Sequence, residues 1–377
     1  MPSPTAVLTL AAALLAVSTS TLAAQQVIKV GVSGPLSGSN AFAGKDNENG
    51  VRLAIEDLNA KKMSVGGKTV KFELMSEDDQ GDPKAGVNVA QKFVDAGVRF
   101  VLGPYNSGVA IPASRIYNDN GIIMSTVGTN PKVTQSGYSN VFRMVASDNQ
   151  VGSSMAAYAA KQLKARSVGV IDDRTAFGQG VAAEFIKQAR KSGLKIAGHE
   201  FTTDKATDFA AILTSLKAKK VDAIFFGGYA PQGAPMARQM RALGLANVKL
   251  LGGDTLCSPE MAKLGGDAVD ENVLCAQGGA ILDKLSAGPA FQKRYKERFK
   301  QAPDVYAASF YDQTMFVAQA MKSTNSTDPS VVATAMHATS YKGIVGDYAY
   351  DAAGNMKKSA VTVYTFRNGA PAALATY

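Results

Sequence analysis

The sequence predicts an α/β fold built from two parallel-sheet domains. Three observations predict it. The chain has 377 residues, more than the roughly 250–300 at which a single core stops growing. Short Val-, Ile- and Phe-rich runs recur along it, bounded by Gly, Pro or Asp, as strands buried on both faces should be. Amphipathic stretches of helical period lie between these runs, and that alternation is βαβ architecture.

The runs are Val27–Ser33, Val70–Met75, Arg99–Gly103, Gly121–Thr126, Ser167–Asp172, Ala223–Gly228, Lys249–Gly253 and Asn272–Ala276. Helical stretches include Gly50–Ala60, Pro83–Ala96, Ala182–Ser192 and Phe209–Lys219. Asp82 stands as an N-cap before Pro83 in a first turn, and Asp208 as the cap of the helix through Leu216. Asp148 precedes a helical segment over Val151–Leu163. Gly193 and Gly244 each follow a helical stretch, where a left-handed residue ends the helix. Two such units fit the length, near 27–146 and 147–276. The remainder reads as a long helical part from Gln292 to Met321, then strand-like runs at Tyr348–Tyr350 and Val361–Phe366. It is too poor in strands for a third domain and is expected to complete the first two.

Composition narrows the function. Hydrophobic residues make up 46% and charged residues 19%, which is ordinary globular usage. The net charge of +9 comes from lysines interleaved with Asp and Glu, so it reads as solvated helix faces and not as a nucleic-acid surface. Two histidines, His199 and His337, leave little room for a metal site. No GxSxG elbow, Walker-type phosphate loop or HExxH occurs, so neither enzyme chemistry nor a cofactor is expected.

Ala6–Val17 is an apolar stretch of signal-peptide length, too short to span a bilayer. Small residues through Ala23 and Ala24 offer a cleavage site, although no Lys or Arg precedes Lys29. A signal peptide over residues 1–24 and export are therefore expected. A buried N-terminal helix is the other reading of the same stretch. Cys257 and Cys275 are two in number and close in sequence, so a disulfide is expected in an oxidising compartment. Two buried thiols are the alternative.

Polar and aromatic residues follow each apolar run, where open α/β sheets bind ligands. They include Ser107 after the third run, Thr129 after the fourth, Phe177 after the fifth, Tyr229 after the sixth and Asp254 after the seventh. Ser107 near a helix N-terminus and Thr129 offer donors to a carboxylate. Asp254 offers a charge-assisted bond to an ammonium group. Phe42, Phe177, Tyr229 and Tyr306 are candidate apolar walls. Each also has a purely structural use: Ser107 as a cap, Thr129 in a turn, Asp254 as the cap of a following turn, the aromatics in a core.

Seven segments carry a family resemblance: GVSGPLSG at 31–38, GKDNENGVRLAIEDLNA at 44–60, DDQGDPKAG at 78–86, IPASRIYNDNGI at 111–122, TNPKVTQSG at 129–137, DDRTAFGQG at 172–180 and FFGGY at 225–229. In this order they resemble the periplasmic leucine–isoleucine–valine binding proteins of ABC uptake systems, of the type I periplasmic binding fold. The resemblance implies two Rossmann-like lobes joined by three crossover strands, near Met144–Ser147, Ala276–Gly278 and Asp351–Lys358, with the ligand in the cleft. It implies one lobe over 27–146 plus 278–354 and another over 147–277 plus 355–377. Ser107 and Thr129, with backbone at Val127, match positions that hold a ligand carboxylate. Asp254 matches the acid for the ammonium, and Tyr229 a pocket position. Phe177 stands where Tyr is common, and Ala43 near the place of a large aromatic. The implied protein is a monomeric solute-binding subunit that closes on a branched-chain or other apolar amino acid and delivers it to a membrane permease. A urea-like amide or an aromatic acid, bound for transport or sensing, is the alternative ligand.

Overall fold

The computed structural model describes residues 25–279 and 282–377. The expected signal peptide at 1–24 lies outside them. The first half runs β1 (Gln25–Gly34), α1 (Ala41–Ala60), β2 (Ser64–Val65), β3 (Lys68–Asp78), α2 (Pro83–Asp95), β4 (Phe100–Leu102), α3 (Ser107–Asp119), β5 (Ile123–Thr126), α4 (Lys132–Gln135) and β6 (Val141–Arg143). These strands form one six-stranded sheet of order β2-β3-β1-β4-β5-β6, parallel except for the β2–β3 hairpin.

The second sheet is built from α5 (Asp148–Lys161), β7 (Ser167–Asp172), α6 (Ala176–Lys191), β8 (Lys195–Phe201), α7 (Ala210–Ala218), β9 (Ala223–Gly227), α8 (Ala230–Ala242), β10 (Lys249–Gly252), α9 (Pro259–Gly265) and β11 (Val273–Gly278). The chain then adds α10 (Gly288–Phe299), α11 (Ala307–Thr324), α12 (Pro329–Ala338), β12 (Ser340–Lys342), β13 (Asp347–Ala349), β14 (Val361–Arg367) and β15 (Ala370–Thr376). β14 and β15 return to the second sheet as antiparallel strands, giving the order β15-β14-β11-β10-β9-β7-β8. The result is two α/β lobes, each built on one sheet. The chain passes between the sheets three times: after β6, after β11, and between β13 and β14.

Local signals explain most of these ends. The Asp82 carboxylate accepts from the N–H groups of Lys84 and Ala85 at 2.8 and 2.9 Å, with Pro83 in the first turn of α2. Gly193 ends α6 at φ +78°, and Leu194 N–H reaches back to Ala189 C=O at 2.9 Å. Gly50 lets α1 meet α11, because a Cβ there would lie 2.1 Å from the Ala307 carbonyl oxygen.

Three expectations are corrected. The single helical part from Gln292 to Met321 is two helices. Lys300 turns left-handed at φ +61°, and Pro303 cannot donate to a helical ladder. The N–H groups of Asp304 and Ala307 bond instead to the Asp46 carboxylate, at 2.8 and 3.0 Å. Asp208 is not the cap of α7. Phe209 holds that position with its N–H bonded to Gln239, while Asp208 accepts from Ala210 N–H. Residues Ala276–Gly278 are still paired within the second sheet, against Val361–Val363, so the second passage begins beyond them.

Candidate functional site

The cleft lies where the carboxyl ends of both sheets face each other, and helix starts supply most of its side chains. Ser107 opens α3, Phe177 lies in the first turn of α6, and Tyr229 and Tyr306 are the N-cap residues of α8 and α11. Asp254 opens a single 3₁₀ turn over Asp254–Cys257. The Cys257–Cys275 disulfide ties that turn to β11. Asn106, the N-cap residue of α3, gives its helix no side-chain cap, so the positive end of the dipole stays available. Its Nδ2 donates instead across the cleft to the Tyr229 hydroxyl at 2.9 Å.

Ser107, Val127, Thr129, Phe177, Tyr229, Asp254 and Tyr306 all line one narrow cavity, together with Tyr105 and Thr255. Phe42 does not join them. It lines a neighbouring narrow cavity with Ala43, Asp46, Asn47, Ser258, Asp304 and Val305. Tyr105, Thr255 and Tyr306 form the wall common to both cavities. No Lys, Arg or His lines either one. Sequence reading missed Tyr105, Thr255 and Asn106. Each is adjacent to a chosen residue or in the same post-strand loop, but a loop has no period that tells which neighbour faces the cleft.

The lobes are closed on each other. Asn130 Nδ2 donates to Ala176 C=O at 2.6 Å, and Ser258 Oγ donates to Asp304 at 2.8 Å. Tyr105 packs against Tyr229 and Tyr306, with ring centroids 6.1 and 6.3 Å apart. Phe177 packs against Tyr229 at 5.2 Å.

Polar atoms are left over inside. Asp254 is 3% exposed; the Tyr306 hydroxyl donates to its Oδ2, and its Oδ1 has no partner. Thr129 is 2% exposed, and its Oγ1 has none either. Burial pushes the Asp254 carboxyl up to about 7, against the pull of backbone N–H groups at Asp254 and Thr255. Burial also drives Asp46 up, helped by the nearby charge of Asp304, and drives Asp304 up. The Tyr105 and Tyr229 phenols are pushed well above their ordinary range by burial, so both stay neutral donors. A closed, acid-bearing cavity with hydroxyl and amide donors on one wall is matched to a small molecule with a cationic and an anionic end.

A family model described as periplasmic binding protein matches residues 27–371. The chain belongs to this family. A Leu/Ile/Val-binding protein homolog of Brucella abortus is 34% identical over 352 residues, covering 91% of each chain. A leucine-, isoleucine-, valine-, threonine-, and alanine-binding protein of Pseudomonas aeruginosa is 30% identical, covering 92% of each. Among solved structures, a leucine binding protein of Thermotoga maritima superposes with a TM-score of 0.85 at 28% identity, covering 93% of this chain and 98% of that one. No helix among the described residues is long and apolar enough to cross a bilayer.

Proposed function

We propose that this protein is the extracytoplasmic solute-binding subunit of an ABC importer, and that its ligand is an α-amino acid with an apolar, branched-chain type of side chain. One observation carries the reading. Asp254 is buried with one oxygen unpartnered, in a cavity that no protein cation lines. A buried carboxylate with an unpaired oxygen is costly, and a ligand ammonium bonded to that oxygen offsets the cost. The relatives named for leucine, isoleucine and valine support the same class.

In this reading Ser107, the backbone at Val127, and Thr129 take the carboxylate. Asp254 takes the ammonium. Phe177, Tyr229 and Tyr306 wall the α-carbon, while the side chain points toward Phe42 through the wall that the two cavities share. Residues 27–146 plus 279–354 form one lobe and 147–278 plus 355–377 the other, with Gly278 kept in the second sheet by its pairing with Val361. Binding is a population shift toward the closed form, which a membrane permease then recognises. The protein works as a monomer in the periplasm after removal of residues 1–24.

Thermal unfolding of the mature protein against the twenty amino acids, urea, short amides and aromatic acids tests this. A ligand at 100 times its dissociation constant adds about 2.7 kcal/mol. Shifts confined to apolar amino acids support the reading. Shifts only with benzoate-like acids or amides would overturn it.

A further inference from the structure

We infer that Arg143, which lines neither cavity, sets the affinity for the ligand carboxylate by acting through the peptide bond between Gly128 and Thr129. The inference rests on the reading of the cavity as an α-amino-acid site. Arg143 ends β6 and is 1% exposed. Its Nε donates to Asn355 Oδ1 at 3.0 Å. Its Nη2 donates to Thr134 Oγ1 at 3.0 Å and to Pro131 C=O at 3.4 Å, and its Nη1 donates to Gly128 C=O. All four acceptors are neutral. Among the described residues, no carboxylate lies within ion-pair distance of this guanidinium. A buried arginine is normally paired with an acid, so this one has charge to spare.

Burial pulls the Arg143 guanidinium down to about 10, with Asp148 and Asp351 opposing, so it stays protonated at neutral pH. The Asp148 carboxyl is itself driven up by burial to about 8 and supplies little negative charge at pH 7.

The loop geometry says where that charge goes. The Gly128–Thr129 peptide is trans, so its C=O and N–H point in opposite directions. With the carbonyl on Arg143, the Thr129 N–H points away from it, and Thr129 lines the ligand cavity. A cation on the carbonyl polarises the peptide and strengthens its N–H as a donor. The plane of this peptide is held on each side. Gly128 N–H donates to Thr126 Oγ1 at 2.9 Å, Thr129 C=O accepts from Asp148 N–H at 2.9 Å, and Asn130 N–H donates to Ser107 Oγ at 3.2 Å. A Cβ on Gly128 would sit 3.4 Å from the Ser107 Cα, so the loop is packed on the start of α3. Arg143 is thus a positioning residue that places positive charge behind the donors without entering the cavity.

The test compares L-leucine with L-leucinamide, which keeps the ammonium and the side chain but carries no carboxylate charge. Isothermal titration gives the ratio of their affinities in the wild type and in Arg143→Met. The expected result is a fall of about tenfold in the preference for leucine, with leucinamide affinity nearly unchanged, because one charge-assisted donor reverts to an ordinary one. Arg143→Lys should recover part of the preference. Equal weakening of both ligands makes Arg143 a structural residue only and overturns the inference, while leaving the amino-acid reading intact. A wild type that binds no amino acid overturns both. Should Arg143→Met fail to fold, Arg143→Gln removes the charge, keeps donors and carries the same comparison.

Discussion

The two walls of the cavity are built with opposite electrostatics. On the first lobe Ser107, Val127 and Thr129 are uncharged; Ser107 sits at a helix start with no side-chain cap, Val127 and Thr129 lie in the loop after β5, and the Arg143 guanidinium bonds to that loop at Gly128. On the second lobe Asp254 is anionic when ionised, and Phe177 and Tyr229 are aromatic. Each wall alone is an incomplete site. A ligand with one charged end gains little from the wall that faces its other end. A zwitterion gains from both, and only when the lobes meet. Ligand-driven closure needs such a difference in affinity between open and closed forms.

The largest expected effect breaks the acidic wall. Asp254→Ala leaves a ligand ammonium buried without its partner, which costs about 3–5 kcal/mol. Calorimetric titration should show affinity for the best amino acid falling by several hundredfold or more, with the circular dichroism spectrum unchanged. A change of only a few-fold would mean that the ammonium is held elsewhere.

Next comes the support of that wall. Cys257 and Cys275 are separated by 18 residues and join the turn of Asp254 to β11. Closing a loop of that length contributes about 3 kcal/mol in the chain-entropy model. Replacing both cysteines by serine should lower the unfolding free energy by about this much in urea titration. Affinity should fall less, because Tyr306 still donates to Asp254.

The acids also give the comparison a pH signature. Asp254 is raised from 3.8 to about 7 by burial, so the folded form binds this proton more tightly than the unfolded chain. Its contribution to stability is full below about pH 4 and is lost as pH rises toward 7. Ligand binding runs the other way, since the ammonium pairs with the ionised carboxylate. The melting temperature of the ligand-free protein should therefore fall between pH 4 and 7, while the increment given by ligand grows. Asp254→Asn should flatten the part of the stability slope that Asp254 causes.

How much of this was legible in the sequence follows from where periodic order ends. β7 reads directly, because Ser167–Asp172 is an apolar run between polar ends. β8 does not, because KIAGHEF is half-exposed and polar at an edge of the sheet. β6 and β2 are too short to show a pattern. Ser107, Thr129, Tyr229 and Asp254 could be chosen because each follows a recognisable strand run. Tyr105 and Thr255 needed the side-chain directions of irregular backbone. Phe42 lies in the first turn of α1, half-buried, and its displacement into the second cavity is set by the packing of α1 and not by local sequence. Arg143 gave no signal at all. A charged residue after Val141-Phe142 reads as a strand end in solvent until the loop at 128–134 and Asn355 are seen around it.

The smallest effect sharpens the first-lobe wall. Ser107 Oγ already accepts from Asn130 N–H at 3.2 Å, so its hydroxyl has a structural partner before any ligand is considered. Backbone donors at Thr129 and at the start of α3 remain when the hydroxyl is removed. Ser107→Ala should therefore weaken amino-acid binding by about 1–2 kcal/mol, well short of the loss in Asp254→Ala. The two substitutions touch opposite ends of the ligand, so their effects should add in the double variant if the walls act independently. A shortfall of 1 kcal/mol or more from additivity would show that either wall, once weakened, already prevents closure. The sites would then be coupled through the hinge and not through direct contact.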